Sequence, residues 1–264
     1  MYGFVVNQLG GDGAGENRLA FKTLCTLSAK DVLLGHFLEE DLVGLPLDFK
    51  IAFPHPVPWL AKRGIIITVG GDMPHWGKKF RNALDNSSRF LKFRGKFKDL
   101  NILFDVWTAS GDRAVTHRAS LRKYRFTLDH FNLNSYLKMR VFLALQIMSQ
   151  TCIRMIREVC EEEEDYDIDD FGPMIALFDK VDRLVDIMNA RTNDSTGKTV
   201  EYINRPRHRH VMEMFDVLRL FEEWRSEVGG FNEKLITKQT WEDLVWMVFG
   251  LAGVACFLKE DGSK

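Results

Sequence analysis

Gly64-Ile65-Ile66-Ile67-Thr68-Val69-Gly70-Gly71-Asp72-Met73-Pro74-His75-Trp76 is the stretch that decides the fold of this 264-residue chain. Its apolar, β-branched run has the composition of a strand buried on both faces, as in a parallel sheet. Two glycines and an aspartate end the run, and Pro74 opens a helix over 74–84. Proline is tolerated there because the first turn needs no backbone N–H. Upstream, Gly3-Phe4-Val5-Val6-Asn7-Gln8-Leu9 repeats the pattern, a short buried strand running into Gly10-Gly11-Asp12-Gly13-Ala14-Gly15. A helix over 16–27 follows, with Leu19, Ala20, Thr23, Leu24 and Leu27 on one face. Between that helix and the second strand, Pro46, Pro54, Pro56 and Pro58 mark a long irregular connector.

Downstream of Asp72 the pattern is helical. Val141, Leu145, Met148, Cys152, Met155 and Val159 recur at alternating four- and three-residue steps and predict one helix over 134–160. Further helices are expected over 171–190 and 211–227. A last one opens at Thr240-Trp241-Glu242-Asp243, where Thr240 and Asp243 have capping-box spacing. The fold class is therefore mostly α with a small α/β part: a β-α-β unit, then helices. A lone β-α-β unit cannot cover its own sheet and calls for partner strands beyond this chain.

Composition excludes several classes. Hydrophobic residues make up 45 % and charged residues 28 %, with 20 Phe and 6 Trp, a globular balance with a large core. A net charge of −1 rules out a polycation that binds nucleic acid by charge alone. Cys25, Cys152, Cys160 and Cys256 form no Cys-x-x-Cys pair, which argues against a zinc module or a secreted disulfide framework. No signal-like N-terminus or membrane span is present, and the chain reads as a soluble intracellular protein without a membrane partner.

Three segments invite chemistry. Asp12, at the C-terminal end of a buried strand, has the place where α/β folds put ligand or metal groups. A phosphate-cradling loop fits poorly, since neither G-x-G-x-x-G nor G-x-x-x-x-G-K-[ST] is met. A metal-binding carboxylate in a nuclease-like site and a simple helix cap both remain open. In the second segment, Lys78 and Arg81 stand one turn apart near a helix N-terminus, placed to grip a phosphate together or to form a solvated basic face. In the third, Arg205, Arg207, His208, Arg209 and His210 make a basic loop suited to DNA phosphates or to plain solvation. Ser195-Thr196-Gly197-Lys198-Thr199 ends like a P-loop but lacks the first glycine and a preceding strand, and is rejected. Residues 161–164 read as a solvated acidic linker.

Five segments, in order, resemble the P-element-type transposases and their THAP-domain relatives. Gly11-Asp12-Gly13-Ala14-Gly15-Glu16-Asn17-Arg18 resembles the family's strand-end motif. Asp72-Met73-Pro74-His75-Trp76-Gly77-Lys78 with Arg81-Asn82 resembles its Asp-x-Pro-His-x-x-Lys…Arg-Asn signature. Lys138-Met139-Arg140-Val141 with Ala144-Leu145-Gln146-Ile147-Met148-Ser149 resembles its Lys-Met-x-Val…Ala-x-Gln-x-x-Ser helix. Val185-Asp186-Ile187-Met188-Asn189 resembles its Phe-Asp-x-x-Asn segment, with Val185 in place of the aromatic. Residues 237–258 resemble the helix that closes the family's insertion.

The resemblance implies a partial ribonuclease H-like catalytic core over 1–71 and a helical GTP-binding insertion domain over 72–264. It implies that Asp12 is the second catalytic aspartate and a Mg²⁺ ligand. It further implies that Lys78 holds the nucleotide's phosphates and that Asp186 and Asn189 read the guanine. The chemistry suits that reading, because a carboxylate accepts from guanine N1–H and its 2-amino group while an asparagine engages O6 and N7. Transposon DNA, a guanine nucleotide, a homo-oligomer in the intact protein and a nuclear location are the partners and setting implied. The first catalytic aspartate and the catalytic glutamate have no counterpart in the sequence, so no strand cleavage is expected from this chain alone. Two other classes stay open: a transposon-derived helical adaptor that binds no nucleotide, and a small methyltransferase-like α/β enzyme.

Overall fold

A computed structural model describes residues 8–11, 15–56, 58–62, 66–86, 88–97, 99–112, 123–189, 203 and 205–256. Its elements in order are β1 (Gln8–Gly10), α1 (Gly15–Leu24), β2 (Leu27–Ser28), α2 (Ala29–Leu33), α3 (Glu39–Leu42), β3 (Lys50–Pro54), α4 (Pro58–Ala61) and β4 (Ile66–Gly70). They continue with α5 (Met73–Leu84), the hairpin strands β5 (Lys92–Phe93) and β6 (Lys96–Phe97), and α6 (Leu100–Ala109). After short 3-10 turns come α7 (Val141–Ile147), α8 (Gln150–Glu162), α9 (Ile168–Met188), α10 (Arg209–Glu227) and α11 (Lys238–Ala255). The fold is mostly helical with a small mixed sheet.

The chain forms two compact units that interleave in sequence. One takes Met1–Trp76, Ile187–Glu222 and Trp241–Lys264; the other takes Gly77–Asp186 and Glu223–Thr240. Compactness thus groups the chain otherwise than the order of its motifs does.

In the first unit the sheet order is β1-β4-β3-β2. β1 and β4 lie side by side and parallel, as predicted, Gln8 opposite Thr68 and Gly10 opposite Gly70, but Gln8, Leu9 and Gly10 are exposed where a buried strand was expected. The sequence reading missed β3, which pairs antiparallel with β4, Ala52 opposite Thr68. Pro54 is the last residue of that strand, where a missing N–H is tolerated, so the proline-rich connector still holds a strand. The need for cover is met in part by α11, which lies against β4. A Cβ on Gly250 would stand 2.2 Å from the Val69 carbonyl oxygen, and one on Gly253 2.5 Å from Thr68 Cγ2. Glycine at both positions permits that approach. The Thr68 hydroxyl donates to the Gly250 carbonyl at 3.3 Å. Aromatic rings fill the rest, among them Phe21 with Trp246 and Phe49 with both Trp241 and Trp246, at centroid separations of 5.4–5.5 Å.

The helix after β1 is α1, but its buried side is not the predicted one. Leu19 is 69 % exposed, and the buried residues are Arg18 and Phe21. Arg18 Nε and Nη2 donate to the two Asp243 carboxylate oxygens at 3.1 and 2.6 Å, a buried bidentate pair between residues 225 apart. This long-range pair, with Phe21 against Trp246, outweighs the weak apolar stripe of α1 and turns the helix. Asp243 is therefore not the capping-box partner that its spacing suggested. Helix α11 begins earlier, at Lys238, and the Thr240 N–H is capped by the Thr237 hydroxyl at 3.1 Å.

The second unit packs α6 against α8. Trp107 and Phe131 stack at 5.1 Å, and the buried side of α8 carries Cys152, Ile153, Met155, Ile156 and Val159. The single helix expected over 134–160 is two. Met148 leaves helical geometry and Ser149 becomes the N-cap of α8, so the apolar period continues across a break that the spacing alone does not show. The β5–β6 hairpin also interrupts the all-helical reading, its turn held by the Arg94 and Gly95 N–H groups donating to the Glu227 carboxylate, each at 2.9 Å. The four cysteines are free; burial raises Cys25 to about 11 and Cys256 to about 12.

Candidate functional site

The second unit holds a cleft of about 490 Å³. One wall is formed by Phe142, Leu145 and Gln146 of α7 together with Ser149, the N-cap of α8. The segment Lys123-Tyr124-Arg125 forms another, and Thr151 and Arg154 of α8 and Asp182 of α9 complete the lining. The backbone of 123–125 is pinned on both sides. The Lys123 N–H donates to Asp112 at 2.7 Å, and the Gln146 amide donates to the carbonyls of Tyr124 and Arg125 at 3.4 Å. Arg125 holds φ at 57°, a left-handed conformation that costs a non-glycine residue roughly 1–2 kcal/mol. Such strain persists only where surrounding contacts enforce it.

The contacts that enforce it run through His130. Its Nδ1 accepts from the Thr127 N–H at 3.0 Å, which leaves Nε2–H to donate to Gln146 Oε1 at 3.0 Å. Burial lowers the His130 pKa, so the neutral ring that this network needs is favoured.

Charge in the cleft is uneven. Lys123 pairs with Glu158 at 2.6 Å, and Tyr124 donates its hydroxyl to the same carboxylate. Lys123 and Arg154 both lie over the Tyr124 ring, 5.3 and 5.9 Å from its centroid. Arg125 and Arg154 are exposed cations on the same cleft, with the Asp182 carboxylate also in its lining. A second cleft of about 330 Å³ carries Asp165, Asp167 and Asp170, with Lys96 paired to Asp170, and its charge opposes a phosphate.

The residues singled out from the sequence fall as follows. Asp12 lies outside the described residues, as does the rejected P-loop-like segment 195–199. Lys78, on α5, is 8 % exposed and has no hydrogen bond or ion pair among the described residues. One turn on, Arg81 is fully buried. Its Nη2 donates to the carbonyls of Leu137 and Lys138 at 3.1 and 3.0 Å, while Nη1 has no partner. Burial lowers the Arg81 pKa although Asp85 opposes the shift. Next to Lys78, Gly77 abuts the cleft wall, where an added Cβ would stand 2.7 Å from Leu145 Cδ2. Asp186 is half-buried on α9, one turn beyond Asp182 and within the same unit. Asn189 is exposed in the turn after α9 and belongs to the first unit.

Sequence reasoning passed over Lys123, Arg125 and Arg154. Their signal was faint: two basic residues flanking a tyrosine, and one arginine on the polar side of an amphipathic helix. In the basic loop, Arg207 pairs with the Asp41 carboxylate at 2.8 Å, and His208 and His210 are buried, so these three side chains serve the fold of the first unit.

At the sheet end of the first unit, Asp72 accepts from His75 Nδ1 at 2.7 Å, both more than a third exposed. Among the described residues no three His, Cys, Asp or Glu side chains converge to hold a metal ion. Among the described residues no helix is long and apolar enough to cross a membrane.

No protein-family model matches the chain, and no curated protein matches it. Among solved structures, the Drosophila P element transposase strand transfer complex superposes with a TM-score of 0.67 at 20 % sequence identity over 96 % of this chain. The chain shares the fold of the P element transposase. It spans 48 % of that transposase chain, about half its length. The likeness is one of fold.

Proposed function

We propose that this chain is part of a DNA transposase, contributing one catalytic carboxylate and a helical region that binds a guanine nucleotide and organises the transposase–DNA complex. The fold likeness over 96 % of the chain carries the reading. Asp12 is then one of the carboxylates that hold Mg²⁺ in the complete catalytic core, acting on transposon DNA in the nucleus, with homo-oligomers as the working form.

The nucleotide part of the proposal is supported by the second unit. A cavity of about 490 Å³ has the volume of a small-molecule site, and Arg125 and Arg154 are both in its lining. A guanidinium matches phosphate oxygens bidentately. Lys78 and Arg81 add two poorly compensated cations in the same unit. Asp186 supplies the acceptor that distinguishes guanine from adenine, whose N1 carries no proton. Facing that edge with a carboxylate costs roughly 1–3 kcal/mol, about ten- to a hundredfold in affinity.

Calorimetric titration with GTP, GDP and ATP tests this. The chain is expected to prefer guanine nucleotides, and Asp186→Ala to erode the preference, with Asn189→Ala acting in the same direction. Lys78→Ala and Arg154→Ala should weaken GTP and ATP alike, since phosphate contacts carry no base information. Equal affinities for GTP and ATP, or no binding at millimolar nucleotide, would put the adaptor reading in its place.

A further inference from the structure

We infer that Phe142 is the base-stacking face of the cleft in the second unit, an assignment that rests on the nucleotide reading above. Phe142 is 73 % exposed, more than any other large apolar side chain among the described residues. A phenylalanine in that position forgoes the burial that makes the residue useful in a core. It is not adrift on the surface, however, because its ring lines the same cavity as the cations. The other ring on the cleft is closed: Tyr124 is 2 % exposed, with Lys123 and Arg154 over its ring and its hydroxyl spent on Glu158.

The lining has both characters: Phe142 and Leu145 are apolar, and Gln146, Ser149, Thr151, Arg125 and Arg154 are polar or cationic. Ser149 caps α8 without using its side chain on the helix N–H groups, as its hydroxyl donates back to the Gln146 carbonyl at 2.7 Å. A ligand with a flat aromatic group and negative charge matches this lining. A π-face stacks on any base, so Phe142 strengthens nucleotide binding without choosing among bases.

The test uses the full chain with GTP, ATP and inorganic tripolyphosphate as probes. Phe142→Ala should weaken GTP and ATP alike by about five- to a hundredfold and leave tripolyphosphate binding unchanged. Phe142→Leu, apolar but without a ring, should lose most of the same affinity, and Phe142→Trp should retain or improve it. The side chain is exposed, so the melting temperatures of these variants should match that of the unaltered chain, which keeps the comparison free of unfolding. GTP affinity undiminished in Phe142→Ala, or tripolyphosphate affinity falling with it, overturns the stacking role and leaves the nucleotide reading intact. Failure of the unaltered chain to bind GTP overturns both.

Discussion

Replacing Gly250 with alanine tests how α11 seats on the sheet. In most helices that change is favourable by about 1 kcal/mol, because alanine loses less backbone freedom on folding. Here the new methyl carbon would stand 2.2 Å from the Val69 carbonyl oxygen, 2.9 Å from Gly70 Cα and 3.0 Å from the Val69 carbonyl carbon. All three are backbone atoms of β4 or of its last residue, and no rotamer change can move them aside. The helix must retreat by roughly an ångström, which loosens the Thr68 hydroxyl bond to the Gly250 carbonyl and the ring contacts around Trp246. Overpacking of a rigid site costs about 1–3 kcal/mol, enough to reverse the helical gain. Urea unfolding followed by circular dichroism and tryptophan emission should show Gly250→Ala destabilised by about 2 kcal/mol. A Gly250→Ala protein as stable as the parent would refute close packing of α11 on β4.

Two further outcomes follow from buried charge. Arg18 and Asp243 side chains are only 9 % and 7 % exposed, so Asp243→Ala, which strands the guanidinium, should cost about 3–5 kcal/mol; replacing both by Met and Leu should restore much of it. If the double variant is no more stable than Asp243→Ala by chemical denaturation, the pair is not the unit of stability described. His130 has a folded-state pKa lowered by burial, so the unfolded chain takes up this proton first as pH falls. Its stabilising contribution should be complete above about pH 6.5 and lost as pH drops through the folded-state value. Unfolding free energies measured from pH 7.5 to 5 should decline more steeply for the parent than for His130→Gln, and parallel curves would contradict the neutral-imidazole network.

Some of this was readable before any coordinates. Ile65 to Val69 is an uninterrupted β-branched run whose residues have few other conformational options, and the parallel β1–β4 pair follows from it and its upstream counterpart. Long amphipathic stretches such as α9 and α10 announce themselves by period because each buries one side against a core. Short or interrupted elements do not. Lys50-Ile51-Ala52-Phe53-Pro54 carries too weak an alternation and too many nearby prolines to be told from a loop. The break between α7 and α8 leaves the apolar spacing intact and so leaves no trace in it.

By itself, then, the sequence determined the fold class, the β1–β4 pairing and the resemblance, all of which depend on local backbone preference or on contiguous motifs. Only the tertiary structure decided that Arg18 belongs with Asp243, that α1 turns its leucines outward, and that Gly250 and Gly253 exist to let a helix touch a strand. It alone gathered Lys123, Arg125, Phe142 and Arg154 around one cleft. The physical reason is that exposure, ion pairing and the shape of a cavity are properties of residues far apart in the chain. They arise when packing overrides the weak preference of each segment taken alone, and no window of sequence contains both partners.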